Sequence, residues 1–370
     1  MQKLHGRTNS GGSHTIDCSV QRHTCDGLTR PCRQRGLSGR RGAEPTQKHC
    51  RVRRVHAAAS GAAPTGLPEV DLVEEKTIHP GSTDDILAKE AMGMGTWRLR
   101  QFMNPLFQLM CGQIETSWRH QLGFQMGLYP LPEDLKYSDS AGSPDQEAAW
   151  NFHAPSPARG TAGWPRLRLE NRAYFSRAFR KLHLECVYRE DGLQILHCVM
   201  FPRLNYDLPI LGMDMVGKDD IITLAITDFS PVACDRSLPP DYAEIAQQLQ
   251  AEFGLETNRS MPQWGSEIFS QQCISIRPTS GQVLDSWMKY SLGVLNAHLL
   301  IANDTEPVKA SRSEKLQEIK SQQERYCHFQ LQNDRTRRVL QSAFGVETAE
   351  RYLQEVVFAP PGESAKSPFE

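Results

Sequence analysis

Four ionisable side chains interrupt two otherwise strand-like apolar runs between residues 181 and 214: His183, Glu185, His197 and Asp214. Two imidazoles and two carboxyls are the groups a protein uses to give and take protons near neutral pH. In KLHLECVYR, alternation puts Leu182, Leu184 and Cys186 on one strand face and His183 with Glu185 on the other. The next run, LQILHCVMF, is apolar almost throughout, as in a strand covered on both sides, with His197 in its middle. Each feature alone has a blander reading. A His-x-Glu on a strand is commonly a solvent-facing pair, and a lone core histidine commonly bonds a backbone carbonyl. Convergence of all four within one hairpin and the strand after it is what points to a proton-donor site.

Which way His197 points depends on the turn Glu190-Asp191-Gly192. A two-residue Asp-Gly turn pairs Glu190 with Leu193 and puts His197 on the face opposite Glu185. A three-residue loop with Gly192 left-handed and bulged pairs Arg189 with Leu193 and sets Glu185 directly across from His197. The second is preferred, because the first buries a lone histidine among aliphatic side chains.

Positioning these groups requires a sheet. Strands are expected near residues 165–175, 181–189, 193–201, 210–217 and 221–228, and the short turns between them make the pairing mainly antiparallel. Asn104 caps a helix with Pro105 at its first position and Leu106, Met110, Ile114 and Trp118 in a stripe. After Pro239-Pro240, a helix carries Tyr242, Ile245, Leu249 and Phe253 on one side and stops at Gly254. IFSQQCISIRP offers another strand and VLDSWMKYSLGVLNAHLLIAN an amphipathic helix. One long helix is expected from Ser313 to Phe344, then a last one carrying Tyr352, Leu353 and Val356. Helices before and after a run of strands predict an α/β fold, a three-layer α/β/α sandwich around a central antiparallel sheet. Along the long helix Gln330, Asn333, Asp334 and Arg337 recur three and four apart, a polar stripe that is ordinarily the wet side of a surface helix.

The 39% hydrophobic content over 370 residues is that of an ordinary globular protein, and no apolar run approaches the ~20 residues of a membrane-spanning helix. A soluble protein is expected. Up to Ser60, twelve basic side chains face only Asp17, Asp26 and Glu44. That Arg-rich, acid-poor segment, ending in VRRVHAAASGAAP, reads as an organellar transit peptide, disordered as a chain; the competing reading is a basic arm for nucleic acid. The segment lacks aromatic residues for base stacking, which favours the transit peptide, so no nucleic-acid partner is expected. A whole-chain charge of −1 against +9 for this segment leaves the rest near −10. The expected organisation is residues 1–60 transit peptide, 61–103 linker and N-terminal extension, 104–358 folded domain with a Pro/Ser/Gly-rich insertion at 138–164, and 359–370 disordered tail. The cysteines outside the basic segment form no Cys-x-x-Cys pair, no Gly-rich nucleotide fingerprint follows a strand, and no bound cofactor or metal is expected.

The blocks LENRAYFSRAFRKLHLE, LQILHCVMFP, YDLPILGMD, LPPDY, MPQWGSEIFSQQC with IRPTS, and YCHFQLQNDRTRRVLQSAFG closely resemble the ferredoxin-dependent bilin reductases, from about Asn104 to near Val357. The resemblance implies the same sandwich, with the bilin between the sheet and the C-terminal helices. It implies electrons from ferredoxin, an iron–sulfur protein, biliverdin as substrate, and a monomer. Asp214 matches the family's central proton donor, and His197 its active-site histidine, with His183 orienting that ring or a bridging water. The counterpart of Glu185 accompanies reduction of the D-ring vinyl group before the A-ring, the order that yields phycocyanobilin in four electrons; relatives of other specificity commonly lack it. Arg259, in NRSMPQWG, matches a propionate ligand. Asn333 and Asp334 match pocket-lining positions, and Arg335 stands where relatives carry Lys, which keeps the charge and changes the reach. Arg335, Arg337 and Arg338 are a basic cluster available to an acidic ferredoxin, or simply solvated helix charges. The basic leader then implies a chloroplast, where reduced ferredoxin is available, although mitochondrial import uses similar signals. Sister products, phytochromobilin or phycoerythrobilin, and a non-catalytic bilin carrier are the alternatives.

Overall fold

The computed structural model describes residues 97–140 and 165–362. Expectations for residues 1–60, for most of the 61–103 linker, for most of the 138–164 insertion and for the end of the tail lie outside those residues. After a 3-10 turn, Arg100–Phe102, the chain enters α1 (Pro105–Leu122), where the Asn104 side chain accepts from Leu106 N and Pro105 stands at the first position. Short elements β1 (Gly127–Leu128), α2 (Glu133–Lys136) and β2 (Tyr137–Asp139) follow. Five long strands come next: β3 (Leu167–Phe175), β4 (Phe179–Arg189), β5 (Leu193–Pro202), β6 (Ile210–Lys218) and β7 (Ile221–Ser230). They lie in the order β1-β3-β4-β5-β6-β7-β8, with β8 (Ile274–Ile276) at the far end and β2 also on β3, all pairings antiparallel.

Alternation gives this sheet two different faces. Leu182, Leu184, Leu196, Cys198, Met213 and Met215 point to one side and form a core with Phe107, Met110 and Trp118 of α1 and Trp287 and Leu295 of α5 (Gly281–Asp304). Thr227 on β7 also bonds Ser291 of α5 across 2.6 Å. The Pro240–Phe253 helix, α3, packs on α5 and ends at left-handed Gly254. The other face carries Leu169, Val187, Val199, Phe201 and Ile210 and is covered by the C-terminal helices. These are α6 (Ser313–Gln330), α7 (Asp334–Phe344) and α8 (Val346–Arg351), the last running into a π-helical turn, Tyr352–Val357; a short α4 (Gln263–Ser266) precedes β8. The result is the expected α/β/α sandwich around a central antiparallel sheet. Among the described residues no helix is long and apolar enough to cross a membrane.

Three local expectations are corrected. Residues 97–103, assigned to a linker and N-terminal extension ahead of the folded domain, are packed within it: Trp97 and Leu99 are buried, and the Leu99 amide donates to the buried Glu170 carboxylate at 2.7 Å. Ser138 and Asp139, assigned to the insertion, belong to β2, and buried Asp139 bonds Arg166 and Arg168. The single helix expected from Ser313 to Phe344 is two helices. Asn333 leaves the helical conformation and its side chain accepts from Arg335 N, as asparagine favours at a helix start, so the chain turns there and the polar stripe is divided.

Lys181 fastens the last turn to the sheet. It is fully buried on the face under the C-terminal helices, and its Nζ donates to the Val356 and Val357 carbonyls at the end of the π-helical turn. Burial, reinforced by neighbouring Arg180, pushes its amine down to about 7. Hydrogen bonds to a charged group are each worth about 1.5–3 kcal/mol. Lys181→Met is therefore expected to speed hydrogen exchange in residues 352–358 at least tenfold while leaving β5 and β6 protected, as mass-spectrometric exchange would show.

Candidate active site

The Gly192 backbone, at φ +87°, closes the β4–β5 turn with its amide on the Arg189 carbonyl. A Cβ there would meet the Asp219 carboxylate, so both conformation and space call for glycine. The turn sets the register Tyr188↔Gln194, Cys186↔Leu196 and Glu185↔His197, the one preferred from the sequence. Pairing continues on both sides, giving an unbroken row across the sheet, Asn171↔Glu185↔His197↔Asp214↔Ile226. A second row, Ala173↔His183↔Val199↔Gly212↔Asp228, runs beside it on the same face. Both rows lie under the C-terminal helices.

His197 Nδ1 and Asp214 Oδ1 are 2.5 Å apart. Their side chains differ in exposure, 10% for His197 and 34% for Asp214, so the carboxylate is the member of the pair that a ligand can touch. Burial acts most strongly on His197 and opposes its charge, but the Asp214 charge and hydrogen bond, with Glu185 adding, outweigh it and hold the imidazole above its ordinary value. His197 Nε2 is buried with no hydrogen-bond partner among the described residues, and the Phe358 ring lies edge-on at 5.9 Å. The His183 ring is 6.1 Å from that of His197 and is wholly buried; desolvation first, then the charges of Lys181 and His197, pushes its titration well down, so it is neutral. Glu185 is buried too, and desolvation raises its carboxyl against the opposing influences of His197 and of the Tyr352 hydroxyl. The Tyr352 oxygen lies 2.5 Å from Glu185 Oε1 and 2.8 Å from Asn171 Oδ1.

Around Asp214 the helical cover is incomplete. Ile195, Gly212, Val216 and Leu224 on the same face are only partly buried, while the opposite-face residues of these strands are sealed. An apolar floor beside one accessible carboxylate suits a flat, conjugated ligand with polar edges. From the helical side, Gln330 donates to the Tyr326 hydroxyl at 3.0 Å, and that hydroxyl sits over Gly212, where a Cβ would lie 3.4 Å away. Asp228, buried in the second row, accepts from Ser230 and twice from Ser270; burial pushes it up to about 6. Its bonds hold the segment after α4 against β7.

The sequence-derived residues thus fall into two groups. His183, Glu185, His197 and Asp214 are together on one face. Arg259 stands at the sheet's far end, donating to the Thr223 carbonyl beside the bulge at Val216/Gly217. Asn333 caps α7, its amide donating to Thr336 Oγ1, while Asp334 and Arg335 are exposed, and the described hydrogen bonds connect none of the three to the four-residue group. Asn171, Tyr352, Tyr326 and Asp228 were missed. Asn171 had a signal: it is the polar member of the alternating set Leu167, Leu169, Asn171, Ala173 on the inward face of its strand. Tyr352 had none, because a tyrosine on an apolar helical stripe is ordinarily core.

A family model described as ferredoxin-dependent bilin reductase matches residues 114–359. The chain is 38% identical over 259 residues to the phycocyanobilin:ferredoxin oxidoreductase of Trichodesmium erythraeum, covering 70% of this chain and 94% of that one. It is 36% identical over 267 residues to the protein of that name from Synechococcus, covering 72% and 97%. Among solved structures, tomato phytochromobilin synthase in complex with biliverdin superposes with a TM-score of 0.53 at 16% identity, over 68% of this chain and 82% of that one, a likeness of fold.

The His197–Asp214 pair gives a titration that can be followed directly. His197 monitored by NMR is expected to titrate above 6.5, and in Asp214→Asn its pKa is expected to fall below the wild-type value. Because the native value is raised, the pair's stabilisation is full on the acid side of 6.5 and is lost as pH rises through the native pKa. The stability gap between wild type and Asp214→Asn is therefore expected to narrow over that interval in denaturant titrations.

Proposed function

On the premise that this chain belongs to the ferredoxin-dependent bilin reductase family, we propose that it converts biliverdin IXα to phycocyanobilin, reducing the D-ring vinyl group first. The coarser activity is the family's: an oxidoreductase that reduces a bilin with electrons from ferredoxin. The choice of product is supported by the name and 38% and 36% identity of the two cyanobacterial relatives, and by Glu185, whose counterpart accompanies that order of steps in the family it resembles. The observation that carries the reading is the row Glu185, His197, Asp214 beside a partly open apolar floor.

Four electrons delivered singly to a conjugated tetrapyrrole must be matched by four protons at chosen positions. Ferredoxin supplies the electrons, and the pigment is itself the centre that accepts them. The protein's work is then to hold the pigment, keep water out and place the protons. Asp214, reachable from the floor and bonded to His197, is proposed to face the pyrrole nitrogens and lactam oxygens and to pass the proton that His197 replaces. Glu185, on the strand beyond His197 toward the dry side, is proposed to serve the D-ring vinyl group. His183 keeps a neutral imidazole beside them. Arg259, at the far end of the floor, is the proposed partner of a propionate. Asn333, Asp334 and Arg335, at the exposed start of α7, are proposed to meet the pigment's outer edge, and Arg335 with Arg338 to offer ferredoxin a positive patch. Residues 1–60 are proposed to carry the chain into the plastid stroma, where it acts as a monomer.

An anaerobic assay with biliverdin, ferredoxin, ferredoxin reductase and NADPH, with products separated by chromatography, tests this. Phycocyanobilin is expected, through an intermediate already reduced at the D-ring vinyl group. Glu185→Gln is expected to slow that vinyl reduction about 10²-fold or more while biliverdin still binds. Phytochromobilin or phycoerythrobilin as the end product would move the chain to a sister specificity, and binding without turnover beside an active control enzyme would make it a carrier.

A further inference from the structure

Asn171 touches two members of the proton-handling group without belonging to it. Its Nδ2 donates to the Leu135 carbonyl at 2.9 Å, which fixes the amide: turned over, it would set two oxygens face to face. Asn171 Oδ1 therefore points at both His183 Nε2, 2.9 Å away, and the Tyr352 hydroxyl, 2.8 Å away. All four side chains, Asn171, His183, Glu185 and Tyr352, are buried.

An amide oxygen can only accept, and this decides where the protons are. His183 must carry its hydrogen on Nε2, so the neutral ring has its lone pair on Nδ1, the atom left without a partner among the described residues. Tyr352 has one hydroxyl hydrogen and two oxygen neighbours, Asn171 Oδ1 and Glu185 Oε1. Given to Asn171, it leaves the tyrosine oxygen free to accept, and Glu185 satisfies the 2.5 Å contact by donating its own proton. Given to an ionised Glu185, it leaves the tyrosine and amide oxygens 2.8 Å apart with no hydrogen between them in a site without water's dielectric. Only the first arrangement places a hydrogen in every contact along the chain Glu185, Tyr352, Asn171, His183.

We propose that Asn171 is the positioning residue of this site: its single amide oxygen selects the Nε2–H form of His183 and orients the Tyr352 hydroxyl so that Glu185 is stored as a neutral acid. This deepens the functional reading above and rests on it for the use made of that proton. The charged and titratable groups facing Glu185 are His197 on β5, Asp214 on β6, Tyr352 from the C-terminal turn, and Lys181 and His183 on its own strand; Asn171 faces it from β3 without charge. Desolvation, the strongest influence on Glu185, acts in the same direction.

Infrared difference spectroscopy on the resting protein, with and without biliverdin and with no reductant, tests this without turnover. At pH 7 a carboxylic-acid C=O stretch that shifts in D₂O and disappears in Glu185→Gln is expected. In Asn171→Leu the Tyr352 hydroxyl is free to turn to the carboxylate, and the titration midpoint of that band is expected to fall by about one pH unit or more. In Tyr352→Phe the band is expected to persist and move to higher frequency, because the acid has lost its acceptor. Asn171→Leu added to Tyr352→Phe is expected to change nothing further. Absence of a Glu185-dependent acid band in the wild type, or an equal fall of the midpoint in both backgrounds, overturns the proposal. The wild-type band and its response to Tyr352→Phe decide the matter even if Asn171→Leu fails to fold. A resting band as expected in a chain that does not reduce biliverdin would leave this inference standing and remove the functional reading instead.

Discussion

The β4–β5 register decides what this sheet can do. A slip of one residue would carry His197 from the face of Glu185 to the face of Leu184, because strand side chains alternate. The turn at Arg189–Leu193 prevents that slip through a left-handed Gly192 packed against Asp219, a position that admits no side chain. From this one constraint the rows follow. Each further strand pairs without interruption as far as Asp214 and outward to Asn171, so that groups from four strands share one line. The π-helical turn then lowers Tyr352 onto the end of that line, held there by Lys181.

The energetic character of the site comes from how unequally it is closed. Ionised groups removed from water are costly unless paired, and pairing in a dry place is strong. Asp214 remains partly open and makes an ionic partner for His197, whose charge is thereby favoured against burial. Glu185, two strands inward, is enclosed, and desolvation raises its carboxyl above the ordinary value. Two carboxyls on either side of His197 in one row thus meet different surroundings, one reachable from outside and one enclosed. The opposite face of the sheet, sealed by α1 and α5 with apolar side chains, supplies rigidity and takes no part in this division.

Much of this was readable from residue spacing. Alternation in KLHLECVYR separated His183 and Glu185 from the core-facing leucines, and the choice between two turn forms fixed their relation to His197 on the argument that a buried histidine needs a partner. The bounds of the five long strands followed from turn residues within a few positions. What escaped was long-range or hidden in ambiguity. Asn333-Asp334 was read as part of a stripe, although the same residue types are good helix starts, and only packing of both segments separates the two. Tyr352 lies 167 residues from Glu185 and owes its role to a helical turn of unusual pitch. Trp97 and Leu99 pack into a core whose other members are remote in sequence, so no local pattern marked them as inside.

The central claim is that the bilin lies on the sheet face carrying Glu185, His197 and Asp214, under the C-terminal helices. A crystal structure of the biliverdin complex tests it most directly. The account predicts the tetrapyrrole stacked over Ile195, Val216 and Leu224, with ring nitrogens or lactam oxygens within hydrogen-bonding distance of Asp214 and the D-ring toward Glu185. A pigment bound elsewhere, or on this face with Asp214 and Glu185 out of reach, would contradict it.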